Sequence, residues 1–347
     1  MLVQATLSPQ LLAGVPVYPF SQKLFCNLWL GLLYDFAESC VVILPGNHAT
    51  EGDYFMAVSM WPAKYKKRAQ ELVTMLHQRR RFIPSQVAYA PAATCSDVGC
   101  QAFIGVTVAN TDAFHLFDEK CSACPNSAAL APRSLEALEY FISQLSRHRR
   151  ERIAYILGDG QWQQAEFERA ILKPILGTAK HVKIYDRWIG RSAFDKNRRL
   201  IRFNDNYKRT LEWVVQVYSD TGGSARCRVF EIYCGIEGHL ISAGQRAQLR
   251  SEMQNFEAAV RRASGIPVQL FLKEESRALQ LAHGRYLITD QVSIVIDRGF
   301  DLLWDDKRMQ GANLNPTVDL RRIRDVAVLL CNDCNSIETQ TRRLPAL

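Results

Sequence analysis

Two hydrophobic patterns run through this 347-residue chain: apolar residues three to four apart, which mark helices, and short apolar runs, which mark buried strands. From Ser21, which is placed to N-cap, Leu24, Leu28 and Leu32 recur on one face and predict a helix over 21–38. Residues 40–44 are wholly apolar and are closed by Pro45-Gly46, the pattern of a buried strand and a turn. A second strand is expected over 54–60. Pro62 suits the first position of a helix reaching about Arg80, with Leu72, Met75 and Leu76 inward and the lysines outward. Strands over 87–89 and 103–109 and an amphipathic helix over 133–147 complete the first half.

The second half alternates more regularly. Strands are expected over 153–157, 181–185, 229–234, 268–272, 285–288 and 293–296, and helices over 161–176, 206–218 and 243–264. The last of these helices turns Leu249, Met253, Phe256 and Val260 inward and stops at Gly265 and Pro267. A closing helix or strand is expected over 320–330. Strand–helix–strand order with connections of this length predicts an α/β fold with a mixed, mainly parallel sheet flanked by helices. The strands over 285–288 and 293–296 are too close to enclose a helix and should form a hairpin. The change in regularity divides the chain into a smaller α/β domain over 1–148 and a second domain over 149–347.

Composition narrows the function classes. At 48% hydrophobic and 22% charged, the chain reads as folded rather than disordered. No apolar run approaches the ~20 residues of a membrane span. Met1 is not followed by a basic segment and a cleavage site, so a cytoplasmic protein is expected. The net charge of +8 is compatible with a polyanionic partner, and it is clustered at 64–68, 79–81, 147–152 and 187–209. The first half carries no Walker loop, GxGxxG or serine elbow.

Ten cysteines in a cytoplasmic chain should be mostly reduced. Cys95, Cys100, Cys121 and Cys124 are spaced as a four-thiolate structural zinc site, with Asp97 and Gly99 suited to a tight turn between the first pair. Cys331-x2-Cys334 has no second pair beside it.

The stretch with the sharpest chemistry is His283-Gly-Arg-Tyr-Leu-Ile-Thr-Asp290. On a strand, His283 and Arg285 point to one face, because side chains alternate. The imidazole can attack a phosphate or protonate its leaving oxygen, and the guanidinium can hold the equatorial oxygens by two parallel hydrogen bonds. Asp290 is the candidate to orient the imidazole. A second group follows the strand over 181–185: Asp186, Arg187, Trp188, Arg191 and Arg198 stand at the carboxyl edge, where parallel sheets place ligands. An aromatic among cations grips single-stranded nucleic acid by stacking and phosphate contact.

The octad resembles the H-x-K-x4-D signature of the phospholipase D superfamily, with Arg285 at the lysine position. The longer match adds Arg298-Gly-Phe-Asp301 and is similar to the phospholipase D-like domain that follows MIT domains in some eukaryotic proteins. Related domains end some bacterial conflict-system proteins and carry a stretch like Ile184-Tyr-Asp-Arg187. The resemblance spans roughly 150–330.

It implies a metal-independent phosphodiesterase acting on nucleic acid in a bacterial anti-phage or mobile-element system, with other defence proteins as partners. His283 would be the nucleophile, Asp290 its orienting carboxylate, and Arg285, Arg187 and Arg298 the phosphate-holding cations. Superfamily catalysis pairs two histidines, and only one copy of the motif is present, so a homodimer is implied. His239 is a second candidate for the acid. Arginine at the lysine position keeps phosphate binding but changes in-line geometry, and the MIT-associated relatives are regarded as binding modules. Two alternatives follow. One is a non-catalytic module that docks a partner protein or nucleoprotein complex. The other is a metal-dependent nuclease in the first half, built from Asp35, Glu38, Asp53, Asp112, His115 and Asp118.

Overall fold

The computed structural model describes residues 3–7, 9–14, 22–44, 50–84, 114–116, 129–130, 139, 142–143, 154–156, 164–194, 200, 202–238, 241–303, 326–331 and 335–346. The chain forms two compact units, Met1–Glu151 and Arg152–Leu347. The four candidate zinc cysteines, Asp112, Asp118, Arg198 and His239 lie outside the described residues, as do the expected strands over 87–89 and 103–109 and most of the expected helix over 133–147.

In the first unit the central strand is β1 (Val3–Leu7), paired in parallel with β2 (Cys40–Leu44), which in turn pairs with β3 (Phe82–Pro84). On the other side of β1 lie β4 (Phe114–Leu116) and β5 (Ala129–Leu130), also parallel. The order β3-β2-β1-β4-β5 is that of a doubly wound sheet, whose direction of winding reverses between β1 and β4.

The described helices of this unit include α1 (Pro9–Gly14), α2 (Gln22–Ser39), α3 (Glu51–Ser59) and α4 (Ala63–Gln78). Helix α2 buries Phe25, Trp29 and Phe36, and α4 buries Leu72 and Leu76, all in one core with the strands. The strand expected over 54–60 is helix α3. Thr50 and Asp53 form a capping box, and Tyr54, Ala57 and Val58 are buried at helical spacing. Two buried side chains tie the helices to the first βα connection: Tyr54 Oη donates to the Leu7 carbonyl at 2.6 Å, and Trp61 Nε1 to that of Leu12 at 2.9 Å.

The second unit is built on a seven-stranded sheet. Its strands are β6 (Ala154–Ile156), β7 (His181–Tyr185), β8 (Val229–Ile236), β9 (Val268–Glu274), β10 (Tyr286–Thr289), β11 (Ser293–Ile296) and β12 (Ala327–Cys331). They lie in the order β6-β12-β11-β10-β7-β8-β9. Only β7–β8 and β8–β9 pair in parallel; the other ladders are antiparallel. The expected sheet is mixed, as read from the sequence, but its ladders are mainly antiparallel rather than mainly parallel. Short connections around β10 and β11 make a hairpin, and β10 returns beside β7, so the later strands reverse direction.

Helix formation follows local chemistry. Helix α5 (Gln164–Phe167) passes through a π turn (Glu168–Leu172) into α6 (Lys173–Leu176), with the Lys173 N–H reaching the Glu168 carbonyl. Pro174 has no N–H to offer the Ala170 carbonyl, which widens that turn. A one-turn helix α7 (Arg187–Arg191) follows β7. Then come α8 (Asp205–Asp220), α9 (Gly223–Arg226) and α10 (Ala243–Ser264), the last with a Ser242–Gln245 capping box and Gly265 in the left-handed region at φ 73°.

Val182, Ile184, Phe230, Ile232 and Cys234 are buried on one sheet face, with Leu211, Val214 and Tyr218 of α8 and Leu249 and Met253 of α10 also buried in this unit. The opposite face carries Tyr185, Tyr233 and Phe271 as an aromatic ladder, with ring centroids 4.7 and 5.1 Å apart. Helix α11 (Asn335–Arg343), which the hydrophobic pattern did not suggest, docks Ile337 against Tyr185 and Ile288. Its Glu338 meets Lys183 at 3.0 Å. The outer edge of β9 is blunted: the Leu270 N–H donates to Glu257 Oε1, and the Glu274 N–H to the Pro345 carbonyl.

Candidate active site

Three connections meet at one end of the second sheet, the carboxyl end of β7, β8 and β9. Because β10 runs antiparallel to β7 and β11 antiparallel to β10, the segment entering β10 and the segment leaving β11 arrive at the same end. These segments bring Asp186–Arg191, His283–Arg285 and Asp297–Asp301 together.

Asp186 is the centre of the group. It caps α7, its Oδ1 accepting the Trp188 N–H at 2.9 Å, and its Oδ2 accepts the Phe300 N–H at 2.9 Å. It is 1% exposed. Burial pushes its carboxyl up to about 6, against the pull of those two N–H bonds and of the Arg285 guanidinium. Gly299 adopts φ 79°, and a Cβ there would strike Asp186 Oδ2 and Arg285 Cγ, so this glycine lets the β11 exit close over the pair.

Arg285 is half-buried just ahead of β10. Its Nη1 donates to the Asp297 carbonyl, and its Nε is buried with no hydrogen-bond partner among the described residues. His283 lies in the bend before β10, rather than on the strand, and is exposed; among the described residues it has no hydrogen-bond or ionic partner. The exposed Arg298 stands on the β11 exit.

Asp290 is not with them. It follows β10, so about 13 Å of strand separates it from the His283 end. Its Oδ1 accepts the backbone N–H groups of Lys180 and His181 at 3.0 and 3.3 Å, which anchors the opposite end of β7. The expectation that Asp290 orients the imidazole is corrected on this geometry: the carboxylate of the centre is Asp186, supplied by the neighbouring strand.

The Arg187–Arg191 group is tied inward by a residue the sequence did not single out. Glu275 follows β9 and its side chain is 0% exposed. It meets Arg187 Nε at 3.3 Å and Arg191 Nε at 2.8 Å, and its Oε1 accepts the Leu281 N–H at 2.9 Å. The Arg187 contact is close but angled off a hydrogen bond; its Nη2 donates to Gln280 Oε1 at 3.1 Å instead. Arg187 is 6% exposed, so it holds the 275–285 loop rather than facing solvent. Arg191 also meets Glu237 at 3.1 Å, and its guanidinium lies 5.6 Å from the Trp188 ring, which is 38% exposed.

Glycines allow this packing. A Cβ on Gly190 would come 2.6 Å from the Gly235 carbonyl oxygen, and one on Gly235 would come 2.5 Å from Glu275 Oε2. The surface facing solvent is thus His283, Trp188, Arg298 and the free side of Arg285. The chemistry available there is a cationic, aromatic edge with one unrestrained imidazole.

Two of the candidate metal residues of the first unit have structural partners. Glu38 pairs with Arg79 at 2.9 Å, and Asp53 caps α3. His115 lies in β4. Among the described residues no group of three or more His, Cys, Asp or Glu side chains is placed to hold a metal. Among them, too, no helix is long and apolar enough to cross a membrane. No protein-family model matches the chain, and the search of curated proteins finds no match.

Proposed function

We propose that the second unit is a phospholipase D-like domain that binds the phosphodiester backbone of nucleic acid at the Asp186–Arg285–His283 edge, with His283 as the reacting imidazole. The observation that carries this reading is the meeting of three separate segments at one sheet end, with a buried carboxylate beside Arg285 and an exposed histidine two residues before it. Attack by Nε2 or Nδ1 of His283 on phosphorus would need no metal. The second histidine of superfamily chemistry would come from a partner copy in a homodimer. A role in anti-phage or mobile-element systems follows from the resemblance, as does a set of defence proteins as partners.

A second reading, a non-catalytic domain that binds without cleaving, is favoured by two observations. No carboxylate orients His283 among the described residues, and Arg285 is tethered to the Asp297 carbonyl. The test is binding and cleavage of short DNA and RNA in EDTA. On the catalytic reading, His283→Ala keeps binding and loses cleavage, while Arg285→Ala weakens binding and lowers the salt slope by about one charge. Binding without cleavage by the wild type selects the second reading. Wild-type cleavage by His283→Ala removes the imidazole from the mechanism.

A further inference from the structure

A cleft of about 560 Å³ opens beside the candidate site, between the end of β9, the loop that follows it and the end of α11. That volume lies in the range of small-molecule sites. Glu274, Glu275, Ser276, Arg277, Leu279, Arg343 and Pro345 line it. Its walls are fixed by hydrogen bonds: the Glu274 N–H donates to the Pro345 carbonyl at 3.0 Å, and the Ser276 N–H to the Leu279 carbonyl at 2.9 Å.

The lining carries two carboxylates and two guanidiniums, but the carboxylates are paired with arginines outside it. Glu274 is answered by Arg246 at 3.7 Å, and Glu275 by Arg187 and Arg191. Arg277 and Arg343 are both exposed, and neither has an ionic or hydrogen-bond partner among the described residues. Arg342, its neighbour in the last turn of α11, does pair, with Glu338 at 3.3 Å. Lys273 Nζ is turned to the Leu344 carbonyl at 3.2 Å. Two unanswered guanidiniums over a wall of Leu279 and Pro345 suit an anion carried on an apolar or planar body, and guanidinium forks match phosphate.

We propose that this cleft is a second anion site, which takes a phosphate group through Arg277 and Arg343. The phosphate can belong to a nucleic-acid strand or to a free nucleoside monophosphate. The proposal goes beyond the reading of the His283 edge and stands without it. The two sites share only the loop from Glu275 to Arg285.

The experiment titrates the full-length wild type, the Arg277→Ala/Arg343→Ala double variant, its Lys/Lys counterpart and Arg285→Ala. The probes are a ten-nucleotide single-stranded DNA and AMP, followed by calorimetry and anisotropy at several salt concentrations. The double alanine variant should weaken phosphate binding at least about tenfold and lower the DNA salt slope by ~1.4, the value for two charges on single strands. The Lys/Lys variant should recover part of the affinity. A loss for DNA alone assigns the site to a strand phosphate, and a loss for AMP alone assigns it to a free nucleotide; both support the site. Wild-type affinity for both probes in a folded double variant overturns it. Arg285→Ala reports separately: unchanged DNA binding there sinks the reading of the His283 edge while leaving the cleft intact.

Discussion

Asp186 is a carboxyl held among backbone N–H groups and one guanidinium, with almost no water, and its carboxyl is raised from 3.8 to about 6. Because its folded value lies above its unfolded one, the folded state binds the proton more tightly. The stabilisation is complete below the unfolded value near 3.8 and is lost as pH rises through about 6. The gap corresponds to ~3 kcal/mol. Wild-type stability relative to Asp186→Asn should therefore fall by up to about 3 kcal/mol between pH 4 and pH 7. Denaturant unfolding of both proteins across that range measures the difference, and a pH-independent gap would show that the carboxyl is not buried as described. Arg285→Ala, by removing the cation that pulls this carboxyl down, should move the fall to higher pH. The same residue shows how the octad misleads. Its spacing H-x-R-x4-D draws attention to Asp290, but His283 precedes β10 and Asp290 follows it, so the strand holds the two at opposite ends. The partner carboxylate comes from β7, and one sequence offers no signal for cross-strand neighbours except that Asp186 follows an apolar strand.

Strands and long helices with a full period were readable. The patterns over 40–44, 181–185, 243–264 and 293–296 coincide with Cys40–Leu44, His181–Tyr185, Ala243–Ser264 and Ser293–Ile296. Short elements were not. Helix α3 carries aromatic and β-branched residues that suggest a strand, and only its Thr50–Asp53 capping box reveals it. Helix α11 has a polar sequence with few apolar anchors, Ile337 being the buried one, so tertiary contact rather than pattern makes it. Sheet direction was misjudged because strand spacing limits connections but not which edge a returning strand joins.

The Gly190–Gly235–Glu275 stack was equally invisible, since it depends on three connections meeting. It predicts that Glu275→Gln will leave the buried Arg187 guanidinium without its carboxylate, Arg191 keeping Glu237, and lower stability by about 3–5 kcal/mol. Gly235→Ala should cost about 1–3 kcal/mol by overpacking the same carboxylate. Thermal and denaturant melts check both. A near-neutral Glu275→Gln would mean that the 275–285 loop is held by Gln280 and Gln340 instead, through the 2.7 Å bond from Gln340 Nε2 to the Gln280 carbonyl.

The chain combines a parallel sheet wound as β3-β2-β1-β4-β5 with a mixed sheet whose candidate site lies within the second unit. One motif in one chain makes stoichiometry the sharpest test of the proposed chemistry. Two imidazoles are needed if one attacks phosphorus and the other protonates the leaving oxygen. A single chain supplies one from the motif; on the paired-motif mechanism the other comes across a two-fold axis, which places the same patch of each copy face to face. Light scattering should then give twice the chain mass for a cleaving sample. Mixing wild type with His283→Ala, after exchange of subunits, separates the mechanisms more finely. If both histidines are required, only dimers of two wild-type chains cleave, and activity falls as the square of the wild-type fraction: an equal mixture keeps about a quarter. If each copy works alone with another acid, activity falls linearly and an equal mixture keeps about half. A linear fall, or cleavage by a strict monomer, would end the paired-histidine mechanism and turn attention to a proton donor within the same chain. The buried Asp186 carboxyl, raised to about 6 and beside Arg285, is then the first group to substitute.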